Sequence, residues 1–376
     1  MKDIRAHWIQ LKAEYENRYK ESFLEDFERS KDYLEQMKEY LLSKLKERPS
    51  DVDVICTLAS VKLELGEGDT EYIKLLEDFL DRFSNEVDDK QVARIYTNIA
   101  FIEDYSRRAL DYLTKAKDLK SPYVETYKAL GLYYFPDYDF SKEKKNIERS
   151  NEFFKHAREL EDSYESNINY GASLYALGEY QEAKKIFEKL ITVYPDRMWL
   201  KLCIAYCDVA LGNKTTAISY LENIKIGSDD NYDLNTDDIM EYQVFDAYYA
   251  LEEYDRFLRY CTEEVDNEYY TVDWEHLYYV LWISGKRDRF TRLEEKNRKY
   301  LEGAIADAIV DTEYDSWKRD CLQIKSTQKR FTGQDEVVPL LPHDRQGLAL
   351  RRIVGQDRPH LGEEDDEEEA REEDRR

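Results

Sequence analysis

A fixed spacing of small, turn-forming and large apolar residues recurs along this chain and restricts what it can fold into. In the stretch 170–195 the spaced residues, at offsets of 0, 7, 12, 16 and 24, are Gly171, Gly178, Ala183, Phe187 and Pro195. Adding 34 to the first four numbers gives Ala205, Gly212, Ala217 and Leu221. The recurrence of residue type at one period predicts a chain built from repeated units, each of which buries its faces against its neighbours.

Each of these positions has a physical reason. We expect Gly171 and Ala183 to be small because two antiparallel helices approach closely there. Gly178 is expected to end the first helix in a left-handed conformation, which other residues reach only with strain. Phe187 is expected to fill the gap to the next unit, and Pro195, which lacks an N–H, marks the boundary between units. The spacing therefore predicts packing and turns rather than chemistry.

These positions resemble the tetratricopeptide repeat, a helix-turn-helix unit of about 34 residues. Weaker copies on both sides bring the total to about seven units between Arg5 and Leu301. The resemblance implies an all-helical fold, a right-handed superhelical solenoid of about seven repeats, over residues 1–302. A C-terminal capping helix region is expected at 303–330.

The composition changes abruptly after Lys329. From Arg330 onward the chain contains no Lys and no Tyr, and it ends in the charge run GEEDDEEEAREEDRR. Such a run cannot bury enough apolar surface to fold. We predict that 331–376 is a disordered acidic tail, within which PLLPHDRQGLALRRI is a candidate binding motif.

Charge and hydropathy exclude several classes of function. The net charge of -26 argues against nucleic acid as a partner, since phosphate binding depends on Lys and Arg, and it favours a basic partner. The longest apolar run, Leu277 to Ile283, is far shorter than the roughly 20 residues of a membrane span, so no membrane association is predicted. Five widely spread cysteines and an N-terminus without the apolar core of a signal peptide predict a cytoplasmic protein.

No pattern in the sequence indicates catalysis, a cofactor or a metal. Cys203 and Cys207 could share a metal but would need two more ligands, and none is near in sequence. The acidic loop Gly227–Asp238 lacks the glycine and the closing glutamate of an EF-hand. The five histidines are isolated from one another, so we predict that the protein is not an enzyme.

The resemblance also implies where a partner would bind. In the family, the second, fifth, ninth and twelfth residues of each repeat point into the concave groove. On this chain the predicted partner-binding groove is lined by Arg94, Asn98, Phe101, Lys128, Tyr175, Trp199, Tyr206, Tyr242, Tyr249, Tyr279 and Trp282. Its C-terminal half is aromatic, and Tyr and Trp are frequent anchors of interfaces. That individual rings only pack between helices remains the alternative.

The family's clamp for the C-terminal carboxylate of a chaperone is not reproduced. Asn169 stands at one suitable place, but Ala129 and Cys203 occupy the equivalent places of flanking units. We therefore predict a non-catalytic scaffold or adaptor that binds a protein or peptide. Two alternatives are an immunity-type inhibitor that occludes a basic enzyme and a peptide-sensing regulator.

Overall fold

The chain is helical throughout the part that its structure describes. The computed structural model describes residues 2–19, 26–66, 69–102, 106–135, 144–226, 239, 241–261 and 271–296, and no strand occurs among them. Residues 287–296 are helical as well. The fifteen preceding helices are α1 (Lys2–Tyr19), α2 (Phe27–Glu47), α3 (Val52–Glu64), α4 (Asp69–Phe83), α5 (Asp89–Ile102), α6 (Arg107–Asp118), α7 (Val124–Tyr134), α8 (Lys144–Leu160), α9 (Tyr164–Ala176), α10 (Tyr180–Val193), α11 (Met198–Ala210), α12 (Lys214–Leu221), α13 (Glu241–Ala250), α14 (Tyr254–Tyr260) and α15 (Thr271–Ile283).

This all-helical fold confirms the predicted fold class. Consecutive helices pack on one another, as in α2 with α3, α5 with α6, and α11 with α12. The chain divides into two compact units, one of Met1–Phe135 with Lys145–Ser166 and one of Pro136–Lys144 with Asn167–Arg376. The predicted capping region, 303–330, and the predicted tail, 331–376, lie outside the described residues.

Several helices of the first unit begin at side-chain caps. The carboxylate of Asp51 accepts a hydrogen bond from the amide of Val54 at 3.2 Å and caps α3. The hydroxyl of Ser106 accepts one from the amide of Ala109 at 3.1 Å and caps α6. Each cap satisfies an amide that has no partner inside its helix, and a cap of this kind contributes about 1 kcal/mol. The sequence thus fixes where these helices start.

The first helices of the second unit end in one recurring turn. Its central residues have positive φ angles of 83° at Gly178, 76° at Gly212, 58° at Glu252 and 65° at Gly285. After Gly178, the next amide donates to the carbonyl oxygen of Leu174 at 2.9 Å, and the other three turns are closed in the same way. This is the Schellman motif, which satisfies carbonyl groups left over at a helix end. The left-handed conformation predicted for Gly178 is confirmed.

Close contact between a glycine and a phenylalanine holds two of the helix pairs together. A Cβ added to Gly171 of α9 would lie 2.6 Å from a ring carbon of Phe187 of α10. In the first unit, a Cβ on Gly131 of α7 would lie 2.4 Å from a ring carbon of Phe154 of α8. The expectation that Phe187 fills the gap to the next unit is therefore corrected, because its ring lies over the glycine of its own pair.

The last two helix pairs fill the same crossing differently. Seven residues before the turns at Glu252 and Gly285, where Gly171 stands relative to Gly178, the chain has Phe245 and Tyr278. Phe245 packs edge-on against Phe257 at 5.5 Å between ring centroids, and Tyr278 packs against Phe290 at 5.2 Å. An aromatic pair thus replaces the pair of a glycine and a phenylalanine.

We predict that Gly171→Ala destabilises the protein by about 1–3 kcal/mol, because the added methyl group overpacks a fully buried ring. Alanine would otherwise favour a helix interior by about 1 kcal/mol, so a loss of stability identifies the steric contact. Urea unfolding followed by circular dichroism measures the change. In a Phe187→Leu background, Gly171→Ala should cost less, since the next pair combines Ala205 with Leu221. Equal costs in both backgrounds would contradict the contact.

We also predict that Glu252→Gly stabilises the protein by about 0.5–1 kcal/mol, because a left-handed conformation costs roughly 1–2 kcal/mol for a residue with a Cβ. The matched control is Asp255→Gly, an exposed position inside α14, which should lose about 1 kcal/mol. Thermal unfolding of both variants decides the sign. A loss of stability at both positions would show that the turn does not favour glycine.

Candidate functional site

The first helices of the second unit lie side by side and are joined by their aromatic residues. The hydroxyl of Tyr206 on α11 donates a hydrogen bond to the carbonyl oxygen of Gln243 on α13 at 2.8 Å. Tyr249 on α13 stacks on His276 of α15, with ring centroids 3.9 Å apart and planes 20° from parallel. We call the surface formed here the aromatic face, and it comprises Tyr206, Tyr242, Asp246, Tyr249, His276 and Tyr279.

Four of the rings predicted to line the groove are buried. Tyr175, Trp199, Tyr206 and Tyr249 are each exposed by 3% or less. Burial raises the pKa of the Tyr206 phenol well above its usual value of 10, and the neighbouring Asp246 carboxylate adds to the shift. Burial likewise raises the pKa of Tyr175. In the free chain these rings act as packing residues, and their contact with a partner stays a prediction.

Three of the predicted rings are half-buried: Tyr242, Tyr279 and Trp282. The ring centroid of Tyr279 lies 6.2 Å from that of Tyr249. Trp282 packs against Phe290 at 5.3 Å, and the guanidinium carbon of Arg287 lies 3.8 Å from its ring centroid. One side of Trp282 is therefore covered by a cation of the chain itself. Tyr242 and Tyr279 are the better placed of these rings for contact with a partner.

The aromatic face also contains groups absent from the sequence-based set of residues. The side chain of Asp246 is 28% exposed, and its Oδ1 atom lies 3.9 Å from Nδ1 of His276. Tyr254, from the second helix α14, lies 6.2 Å from Tyr279 between ring centroids. His276 and Tyr254 do not occupy the repeat places that point into the groove. Only the contact between neighbouring helices reveals them.

The groove residues predicted in the first unit are largely engaged with their own neighbours. Arg94 on α5 forms an ion pair with Asp53 on α3, and Lys128 on α7 forms one with Glu165 at the start of α9. The amide nitrogen of Asn98 donates to the carbonyl oxygen of Arg94 at 2.9 Å. Phe101, by contrast, is 54% exposed. The structure thus brings Arg94 and Asn98 together.

Among the described residues, no group of three or more His, Cys, Asp or Glu side chains is arranged to hold a metal ion. Cys203 and Cys207 are both fully buried in α11. Burial and the neighbouring Asp208 carboxylate raise the pKa of the Cys207 thiol, so it stays protonated and unreactive at neutral pH. No helix in the described ranges has the length and apolar composition needed to cross a bilayer.

Comparison with known protein families gives one match. Residues 168–197, which span the end of the loop-free part of α9, the turn at Gly178 and α10, match the family model of the tetratricopeptide repeat. No curated protein sequence matches significantly.

Comparison with solved structures gives distant similarities. Yeast Tom70 is 13% identical over 81% of this chain, with a TM-score of 0.34, and this chain spans 61% of the Tom70 chain. A human IFIT1 dimer with m7Gppp-AAAA is 17% identical over 87% of this chain and 70% of its own, with a TM-score of 0.33. Similarities of this size say nothing about function. The recurring turns, the helix pairs and the match at 168–197 together identify a helical repeat protein of the tetratricopeptide type.

Proposed function

We propose that the protein is a non-catalytic scaffold that binds a protein or peptide at the aromatic face of its second unit. The observation that carries the proposal is that α11, α13 and α15 place half-buried rings and a carboxylate on one surface. The hydrogen bond from Tyr206 to Gln243 and the stack of Tyr249 on His276 tie these helices together. Such repeat folds identify function only through their sites, and this surface is the candidate.

The face suits binding because its anchors are held before a partner arrives. Tyrosine offers a large contact area at a small cost in rotamer freedom, and its hydroxyl adds a hydrogen bond. Tyr279 is supported by its contacts with Tyr249 and Tyr254, so little entropy remains to be lost on binding. Preorganisation of this kind raises affinity without new contacts.

The chemistry of the chain favours a basic or mixed protein partner over nucleic acid. The net charge of -26 attracts positive surfaces and repels phosphate backbones. A cytoplasmic location belongs to the proposal as well, and it is supported by the free thiols of Cys56, Cys203, Cys207 and Cys261.

The charge also favours a second candidate function, in which the same face occludes a basic enzyme. Both functions need binding at the aromatic face, and they differ in its consequence. If the captured partner is an enzyme, titration of its activity with this protein separates them. An inhibitor abolishes the activity at a one-to-one ratio, whereas a scaffold leaves it in place.

We predict that replacing Tyr242 and Tyr279 together by alanine weakens binding of the partner at least tenfold, because truncation of an interface anchor costs about 2 kcal/mol. The partner is captured from the source cell with the full chain, identified by mass spectrometry and purified. Isothermal titration calorimetry then compares the dissociation constants of wild type and variant. The melting temperature of the variant verifies that it folds.

The matched control is Tyr194→Ala, an exposed ring at the end of α10 and outside the aromatic face. Its affinity should stay within twofold of wild type. Equal affinities for the wild type and the Tyr242 and Tyr279 double variant would place the binding surface elsewhere.

A further inference from the structure

We infer that the aromatic face recognises an arginine side chain of its protein partner, held between the ring of Tyr279 and the carboxylate of Asp246. This inference rests on the proposed function and specifies the chemistry of the partner. It is carried by the arrangement of four side chains on α13 and α15.

These four side chains form two rungs between the helices. Asp246 faces His276 at 3.9 Å between Oδ1 and Nδ1, and Tyr249 faces Tyr279 at 6.2 Å between ring centroids. On each helix the two residues are three apart, which corresponds to a rise of about 4.5 Å. A carboxylate and a phenol ring thus lie diagonally across one helical turn. This spacing suits a planar group that stacks on one and donates hydrogen bonds to the other.

The charge pattern of the two helices favours a cation. The sequences of α13, EYQVFDAYYA, and α15, TVDWEHLYYVLWI, contain four carboxylic residues and no Lys or Arg. Basic side chains on the second helices have partners of their own. Lys214 pairs with Glu253 at 2.8 Å, and Arg256 pairs with Glu222 at 3.0 Å. A cation supplied by a partner would therefore complement these helices.

The guanidinium group fits better than an ammonium group. It is planar, it is weakly hydrated, and it can stack on a ring while it donates to a carboxylate, whereas lysine presents a strongly hydrated point charge. The chain already contains one such contact on α15, where the guanidinium of Arg287 lies 3.8 Å from the ring centroid of Trp282. Tyr279 lies one turn before Trp282 on the same helix.

The test measures the fluorescence anisotropy of labelled hexa-arginine and hexa-lysine peptides with the full-length protein. We expect hexa-arginine to bind at least five times more tightly than hexa-lysine. Asp246→Asn should weaken the binding of hexa-arginine about tenfold, because it removes the charge and keeps the shape. Tyr279→Ala should weaken it about as much, while Tyr279→Phe, which keeps the ring, should bind within twofold of wild type.

The matched control is Asp255→Asn, which removes one exposed negative charge from α14. It should change the affinity for hexa-arginine less than twofold. Equal affinities for the two peptides, or equal losses in Asp246→Asn and Asp255→Asn, would overturn the inference in favour of long-range attraction alone.

Two further outcomes are informative. A double variant with Arg351→Gln and Arg352→Gln that gains affinity for hexa-arginine would show that the chain's own basic segment competes for the face, and it would overturn an external partner as the source of the arginine. If the purified partner depends on Tyr242 and Tyr279 but not on Asp246, the proposed function stands and the arginine inference fails.

Discussion

The crossing between the two helices of a pair is the constraint on which the rest of this structure depends. A left-handed turn residue ends the first helix, and a contact seven residues earlier sets how closely the second helix approaches. At Gly171 and Gly131 that contact is so close that a Cβ would overlap a phenylalanine ring. Because the turn and the crossing fix the rotation of each first helix, they also fix which side chains lie on the face shared with the next pair. The aromatic face of the second unit is a consequence of this packing.

Where residue identity itself carries the constraint, the sequence was sufficient. Only glycine readily adopts the φ angle of 83° found at Gly178, and only glycine fits against Phe187, so both positions were predictable. The last two pairs were harder, because the physical requirement at the crossing is a filled volume and several combinations meet it. Phe245 with Phe257 fills it with two rings, and Glu252 accepts a strained turn where other pairs have glycine. The repeat is therefore clear to the eye at 168–197 and faint elsewhere.

The candidate site shows the same division. Helical register places Tyr242, Tyr249 and Tyr279 on one face, and the sequence supplies that register. Burial depends on the neighbouring helix, which register alone does not describe. Tyr249 is covered because His276 stacks on it, and Tyr206 is buried where its hydroxyl meets the backbone of α13. Likewise, Arg287 covers one side of Trp282 through a contact five residues along the chain, which no repeat position predicts.

The central claim is that the half-buried rings of α13 and α15 are the surface that a protein partner covers. Hydroxyl-radical footprinting tests it most directly, because it reports the solvent access of individual tyrosine side chains in the free protein and in the complex. The account predicts that oxidation of Tyr242 and Tyr279 slows severalfold when the purified partner is bound, while oxidation of Tyr194 does not change. Unchanged oxidation of Tyr242 and Tyr279 in a saturated complex would contradict it.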